Sequence, residues 1–359
     1  VTSLFDGYRI GDLRLPNRLV MAPMTRARAT ADGLATPSMA TYYAQRATAG
    51  LLVSEGVAPS HPGQANPDMP GLRNAAEVAA WRPVTDAVHA NGGRIFAQLM
   101  HGGRVGHPAV SGHQPVAPSA VAMRGDVFVR FGEPMRPAPM PRALTTAEVG
   151  AEARVYADAA RRAVEAGFDG VELHGANGYL IQQFLSSNAN QRTDRYGGSL
   201  TGRIAFAVEA VTATADAIGA ERVGIRLSPG GRVWDIVEDD VPGLYSALFA
   251  ALAPLGLAYV HLLAPPDGDE LLDGLRRAWP GTLVVNPGGQ IGPRETDQAD
   301  GEKWLARGAD LIGYGRAFLA NPDLVERFRT GVPPRPTPDR ETWYQGGDTG
   351  FIDYPSHQY

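Results

Sequence analysis

The chain has 359 residues, 44% of them hydrophobic and 20% charged, enough to bury a sizeable core without help from metals or disulfides. It contains no cysteine, which excludes disulfides, thiolate metal sites and cysteine nucleophiles. A net charge of −5 and a sequence pI near 5.9 argue against a nucleic-acid partner, because phosphate backbones are bound through clustered Lys and Arg.

No run approaches the roughly 18 apolar residues of a membrane span, and the first residues lack a basic region followed by an apolar stretch. The expectation is a cytoplasmic protein with no membrane partner, working as a monomer or homodimer. In chain order, RIGDLRLPNRLVMAPMT holds two short alternating runs around Gly11-Asp12, which predict a hairpin, then a buried strand ending near Ala22. A helical pattern over 38–49 precedes a short apolar run at 51–54 of the buried-strand kind. A helix over 76–91 and a strand over 94–99 continue the alternation. Residues 102–144 interrupt it, because they are rich in Gly and Pro without periodicity and read as a functional loop or lid.

Thr145 and Glu148 form a capping box that opens a helix through Ala166, ahead of a strand over 170–173. Further helices alternate with strands over 223–227, 259–262, 282–285 and 310–312, before a closing helix near 323–329. Eight strands alternating with helices predict an α/β fold of the (β/α)₈ or TIM barrel type. An open doubly wound sheet is the alternative, but no G-x-G-x-x-G follows the first strand. All of 1–359 is expected to form one domain, with 102–144 inserted after the third strand and an aromatic tail over 333–359 packed back on the barrel.

Barrel active sites use strand C-termini and the loops after them, and a phosphate often binds after strands seven and eight. Those places hold Asn286-Pro287-Gly288-Gly289 and Gly313-Tyr314-Gly315-Arg316, where glycine backbone N–H groups and a bidentate Arg suit phosphate oxygens. His101, His174 and His261 raise the question of a metal. The first strand ends in Ala22-Pro23-Met24-Thr25 with no His or acid to complete a ligand set, so no metal is expected. The densest polar and aromatic stretch is HGANGYLIQQFLSSNANQRTDRYGGS from His174, directly after a buried strand, and Gln98 and Arg226 add polar groups at other strand ends.

These motifs, together with LPNRLVMAPMTR, YYAQRA, HGGR, GIRLSP, GYGRAFLANPDLV and the closing DYP, resemble the old yellow enzyme family of FMN-dependent ene-reductases nearly end to end. The resemblance implies FMN as cofactor and NAD(P)H as reductant. It implies that Pro23, Met24, Thr25, Gly56, Gln98 and Arg226 surround the flavin ring and ribityl chain, and that Gly288, Gly315 and Arg316 hold the phosphate. Gln98 offers a donor and an acceptor to the pyrimidine edge, and Arg226 favours the anionic reduced ring. His174 and Asn177 are similar to the family pair that hydrogen-bonds the oxygen of an activated alkene, and Tyr179 to the residue that protonates its α-carbon.

The remaining substrate contacts implied are Thr25, Asn66, Met100 and Phe351. Met100 stands where many relatives carry Trp, and Asn66 and Phe351 where relatives often carry Tyr, so the substrate range is not copied from any relative. The reading is an FMN-dependent ene-reductase with a ping-pong cycle. The alternatives are the same fold acting on a bulky or nitro substrate, or a flavin-binding protein without catalysis.

Overall fold

The computed structural model describes residues 2–264, 268–288 and 295–356. Eight parallel strands close a barrel: Leu19–Met21, Leu51–Val57, Ile95–Leu99, Gly170–Gly175, Val223–Leu227, Tyr259–Leu263, Leu283–Asn286 and Leu311–Tyr314, the last pairing with the first. Every residue in them is buried, as expected of parallel strands covered by helices on one face and by the barrel interior on the other. The barrel is the architecture expected from the alternation of apolar runs and helical patterns.

The hairpin pairs Tyr8–Ile10 with Leu13–Leu15 through the predicted Gly11-Asp12 turn, where Gly11 takes a φ of 55°. Its Ile10 and Leu15 pack with Val20, Leu51, Val53, Phe96, Tyr259 and Leu311, residues near the strand starts. The N-terminal mouth of the barrel is thereby plugged, and the strand C-termini are left for chemistry.

Helix boundaries follow local chemistry. Thr145 accepts the Glu148 N–H while Glu148 returns to the Thr145 backbone, so the helix Thr146–Glu165 starts where the capping box put it. The helix expected over 38–49 stops at Gln45. Arg46 turns inward at that point, fully buried, and its guanidinium donates to the carbonyls of Phe318 and Leu319 at 2.8 and 2.7 Å. The insertion after the third strand is not structureless. It holds two two-residue ladders, Val116–Ala117 with Arg142–Ala143 and Asp126–Val127 with Arg136–Pro137. Among the described residues no helix is long and apolar enough to cross a membrane.

Candidate active site

The fourth strand carries Glu172 and His174 two positions apart, on one face of the strand. After it the chain turns sharply. Asn177 adopts a left-handed φ of 60°, stabilised by its N–H donating to Ser228 Oγ at 3.0 Å. Gly178 follows at φ 78°, and a side chain there would run into the Val233 carbonyl and Trp234. Tyr179 then caps a short helix, Leu180–Leu185, that had not been expected in the sequence. Gln182 and Gln183, polar but buried, hold this helix: Gln182 accepts the Gly178 N–H and donates to the Ser228 carbonyl, and Gln183 donates to the carbonyls of Gly102 and Gly178.

The turn brings the Tyr179 ring to 5.1 Å from the His174 ring. His174 Nδ1 and Asn177 Oδ1 are both buried without a hydrogen-bond partner. Burial, then the charges of Arg226 and His261, hold the His174 pKa well below the ordinary histidine value, so the imidazole is neutral at neutral pH and carries one N–H donor. Burial raises the Tyr179 phenol, partly offset by side-chain hydrogen bonding from Asn66 and Trp234, while the nearby Tyr344 adds to the rise. Asn66 lies against the phenol, and Met100 lies in one apolar cluster with Tyr179, Met123 and Val127. Met100 also covers Gly56, where a Cβ would come within 2.8 Å of its thioether.

Inside the barrel, Gln98 Nε2 donates to Glu172 Oε1 at 2.9 Å, while Tyr259 and His261 Nδ1 approach Oε2 at 3.1 and 2.8 Å. Arg226 donates to Asn286 Oδ1 at 2.7 Å, and its Nε is buried without a partner. Pro23, Met24 and Thr25 are half-buried just past the first strand, and Gly315, whose missing side chain would touch Met24, and Arg316 are half-buried just past the eighth. Gly288 is exposed at a φ of 85°, and Gly289 lies outside the described residues. The three histidines do not converge on a metal. His101 sits 3.6 Å from Glu152, His261 on Glu172 and His174 beside Tyr179, and no group of three potential ligands is found among the described residues.

Phe351 is a correction. Expected at the substrate, it is fully buried elsewhere, stacked on Tyr42 at 4.2 Å with the guanidinium groups of Arg28 and Arg26 at 4.4 and 5.1 Å from its ring. Arg26 and Arg28 donate to the carbonyls of Thr342, Trp343, Gly347, Thr349 and Gly350, so this stack anchors the tail. The tail residue that reaches the site is Tyr344. It stacks on Phe131 at 4.4 Å, and Phe131 neighbours Phe128, which packs edge-on against Trp234. These aromatics, from the insertion, the loop after the fifth strand and the tail, were missed. Their signal was aromatic residues set among glycines outside the regular elements, Trp234 in the loop after the fifth strand and Tyr344 in the tail. Trp234 and Asp235 both take left-handed φ, 57° and 60°, held by Arg104 on the Asp235 carbonyl at 2.8 Å and Arg124 on its carboxylate at 2.7 Å.

A barrel with this site invites comparison with known proteins. Residues 3–334 match the model of the NADH:flavin oxidoreductase / NADH oxidase family. Morphinone reductase in complex with tetrahydroNAD superposes with a TM-score of 0.93 at 40% identity, covering 100% of this chain and 98% of the other. The chain belongs to the old yellow enzyme family. The old yellow enzyme homologue from Zymomonas mobilis also superposes at 0.93, with 39% identity and 99% of each chain covered. Among curated relatives, chanoclavine-I aldehyde reductase of Penicillium roqueforti is 41% identical over 99% of this chain and 96% of its own length. The 12-oxophytodienoate reductase 1 of Oryza sativa subsp. japonica is 40% identical over 98% and 92%.

This old yellow enzyme is thus an NAD(P)H-dependent flavin oxidoreductase of the alkene-reductase type, with FMN as its cofactor. Its own residues fit that group. A flavin's pyrimidine edge presents hydrogen-bond donor and acceptors together, matching the Gln98 amide and the Arg226 cation, whose buried Nε has no protein partner.

Proposed function

We propose that this old yellow enzyme reduces the activated C=C bond of small α,β-unsaturated carbonyl or nitro compounds, with NAD(P)H and the alkene using one pocket in turn. The observation that supports this most is the pair of buried groups, His174 Nδ1 and Asn177 Oδ1, without a protein partner beside the Tyr179 ring. Turning the Asn177 amide over puts its NH₂ in the unpaired position, so both residues are able to donate to one substrate oxygen. FMN, when bound, supplies the two-electron chemistry that joins NAD(P)H oxidation to alkene reduction. Pro23, Met24, Thr25, Gly56, Gln98 and Arg226 would hold its ring and ribityl chain, and Gly288, Gly315 and Arg316 its phosphate.

As the β-carbon is reduced, negative charge grows on the substrate's carbonyl or nitro oxygen. Donors fixed there by His174 and Asn177 are worth ~3 kcal/mol each by analogy with oxyanion holes. Tyr179 gives its phenolic proton to the α-carbon and is reprotonated from solvent. Its raised pKa keeps that proton in place at neutral pH. Asn66, Met100, Trp234 and Tyr344 exclude water and bound the substrate. The absence of cysteine suits a reducing cytosol, and a monomer or homodimer is the assembly we expect.

The test is NADH or NADPH consumption by purified protein against 2-cyclohexenone, maleimide and a nitroalkene. Consumption that depends on the added alkene is expected. Oxidation no faster with any of the three than without them overturns the reading.

A further inference from the structure

A carboxylate in the middle of a barrel strand needs a reason, because burying a charge costs several kcal/mol unless it is paired and hydrogen-bonded. Glu172 is fully buried, yet its three hydrogen-bond partners and the cation that acts on its charge come from three other strands: Gln98 from the third, Arg226, the cation, from the fifth, and Tyr259 and His261 from the sixth. Two of the four, Gln98 and Arg226, are the residues that would meet the flavin ring.

The contact with Gln98 fixes an orientation. A carboxylate is acceptor-only, so the amide must turn an N–H toward Glu172, as it does at 2.9 Å. Its oxygen and second N–H are then left as an acceptor and a donor for the flavin's pyrimidine edge. The relation to Arg226 is one of charge. His261 donates through Nδ1 and burial holds it in the neutral range, so it hydrogen-bonds the carboxylate without cancelling its charge, and Arg226 is the cation that answers it. Three donors, from Gln98, Tyr259 and His261, converge on this group, so the network calls for an acceptor-only carboxylate and a Gln would turn one donor end against them.

We propose that Glu172 is a positioning residue for the cofactor: it sets the Gln98 amide and offsets the Arg226 charge, making bound FMN harder to reduce than Arg226 alone would make it. The proposal rests on the reading that FMN lies against Gln98 and Arg226. It assigns the acid in Gly170–Gly175 a task in tuning the flavin that is separate from substrate polarisation by His174.

The experiment compares wild type, Glu172→Gln, Glu172→Asp and Tyr259→Phe by anaerobic titration of the bound flavin against reference dyes, with the dissociation constants of oxidised and reduced FMN. Removing the negative charge in E172Q is expected to raise the affinity ratio for reduced over oxidised FMN at least tenfold, a positive shift of about 30 mV for a two-electron couple. E172D, which keeps the charge, is expected within threefold of wild type. Y259F takes a hydrogen bond from the carboxylate, leaving its charge less masked, and is expected to lower the ratio about threefold.

A wild-type ratio in E172Q overturns the proposal while leaving the flavin reading intact, as does an equal shift in E172D, which would make packing rather than charge the cause. If E172Q does not accumulate folded, an unchanged or raised ratio in Y259F overturns it. A wild-type protein that binds no FMN overturns the proposal together with the reading beneath it.

Discussion

Replacing Phe351 by Ala tests where the tail belongs. The ring is fully buried between Tyr42 and the guanidinium groups of Arg28 and Arg26. Truncating a buried Phe costs about 3–5 kcal/mol, a figure that here takes in one ring stack and two desolvated cation–π contacts. The loss falls first on docking of the tail, because residues 342–350 are held by hydrogen bonds from Arg26 and Arg28 that depend on the same stack. A 3 kcal/mol loss shifts the docked-to-undocked ratio about 150-fold. Limited proteolysis should then cut the variant within 340–356 while the barrel stays intact. The Michaelis constant for alkenes should rise severalfold, because Tyr344 leaves its place near Tyr179. A variant with wild-type protease resistance and an altered preference among alkenes would refute this and return Phe351 to the substrate pocket.

Three further outcomes follow from the site and its surroundings. Tyr179→Phe should slow alkene reduction by 10²-fold or more while reduction of the flavin by NAD(P)H stays within a few-fold, measured by stopped-flow of each half-reaction. His174→Ala should lower kcat/KM for 2-cyclohexenone by about 10²-fold, the loss of one donor worth ~3 kcal/mol, with FMN content unchanged in the spectrum. Glu152→Gln should unmask an acid weakness. Burial takes His101 down to about 4, so its contribution to stability is lost as pH falls from about 6.5 toward 4. Burial, then the charge of Glu148, takes Glu152 up to about 7, so its contribution is lost as pH rises from about 4.5 through 7. The two slopes oppose each other in the wild type. Urea unfolding at pH 6.5 and 4.5 should therefore show the variant losing about 2–3 kcal/mol more than the wild type, and equal losses would contradict it. The same values make the 3.6 Å approach of His101 to Glu152 a contact of a neutral imidazole, not an ion pair.

The barrel was legible because its strands are buried on both faces and read as apolar runs, and because caps such as Thr145 with Glu148 mark where helices begin. The helix Leu180–Leu185 was not, since it is under two turns long and buried all round, with Gln182 and Gln183 bonding to backbone beside the apolar Leu180, Ile181, Phe184 and Leu185. Two-residue ladders in the insertion are too short to leave a period. Within the site, His174, Asn177 and Tyr179 stood out because they crowd one turn. The opposite wall was misread at Phe351: which tail aromatic reaches Tyr179 is decided by Arg26 and Arg28, more than 300 residues away in the chain. Glu172 was readable in principle, as an acid in an apolar strand on the same face as His174.

One pocket that passes two electrons from NAD(P)H to an activated alkene through FMN has a visible signature. The direct measurement is the visible spectrum of the purified protein under anaerobic conditions, first with NADPH or NADH and then with 2-cyclohexenone or maleimide. Flavin absorbance is expected in the starting protein, with bleaching by the nucleotide in the absence of alkene and full return when the alkene is added. A protein without flavin absorbance, or one whose bleached flavin none of these alkenes reoxidises, would contradict it.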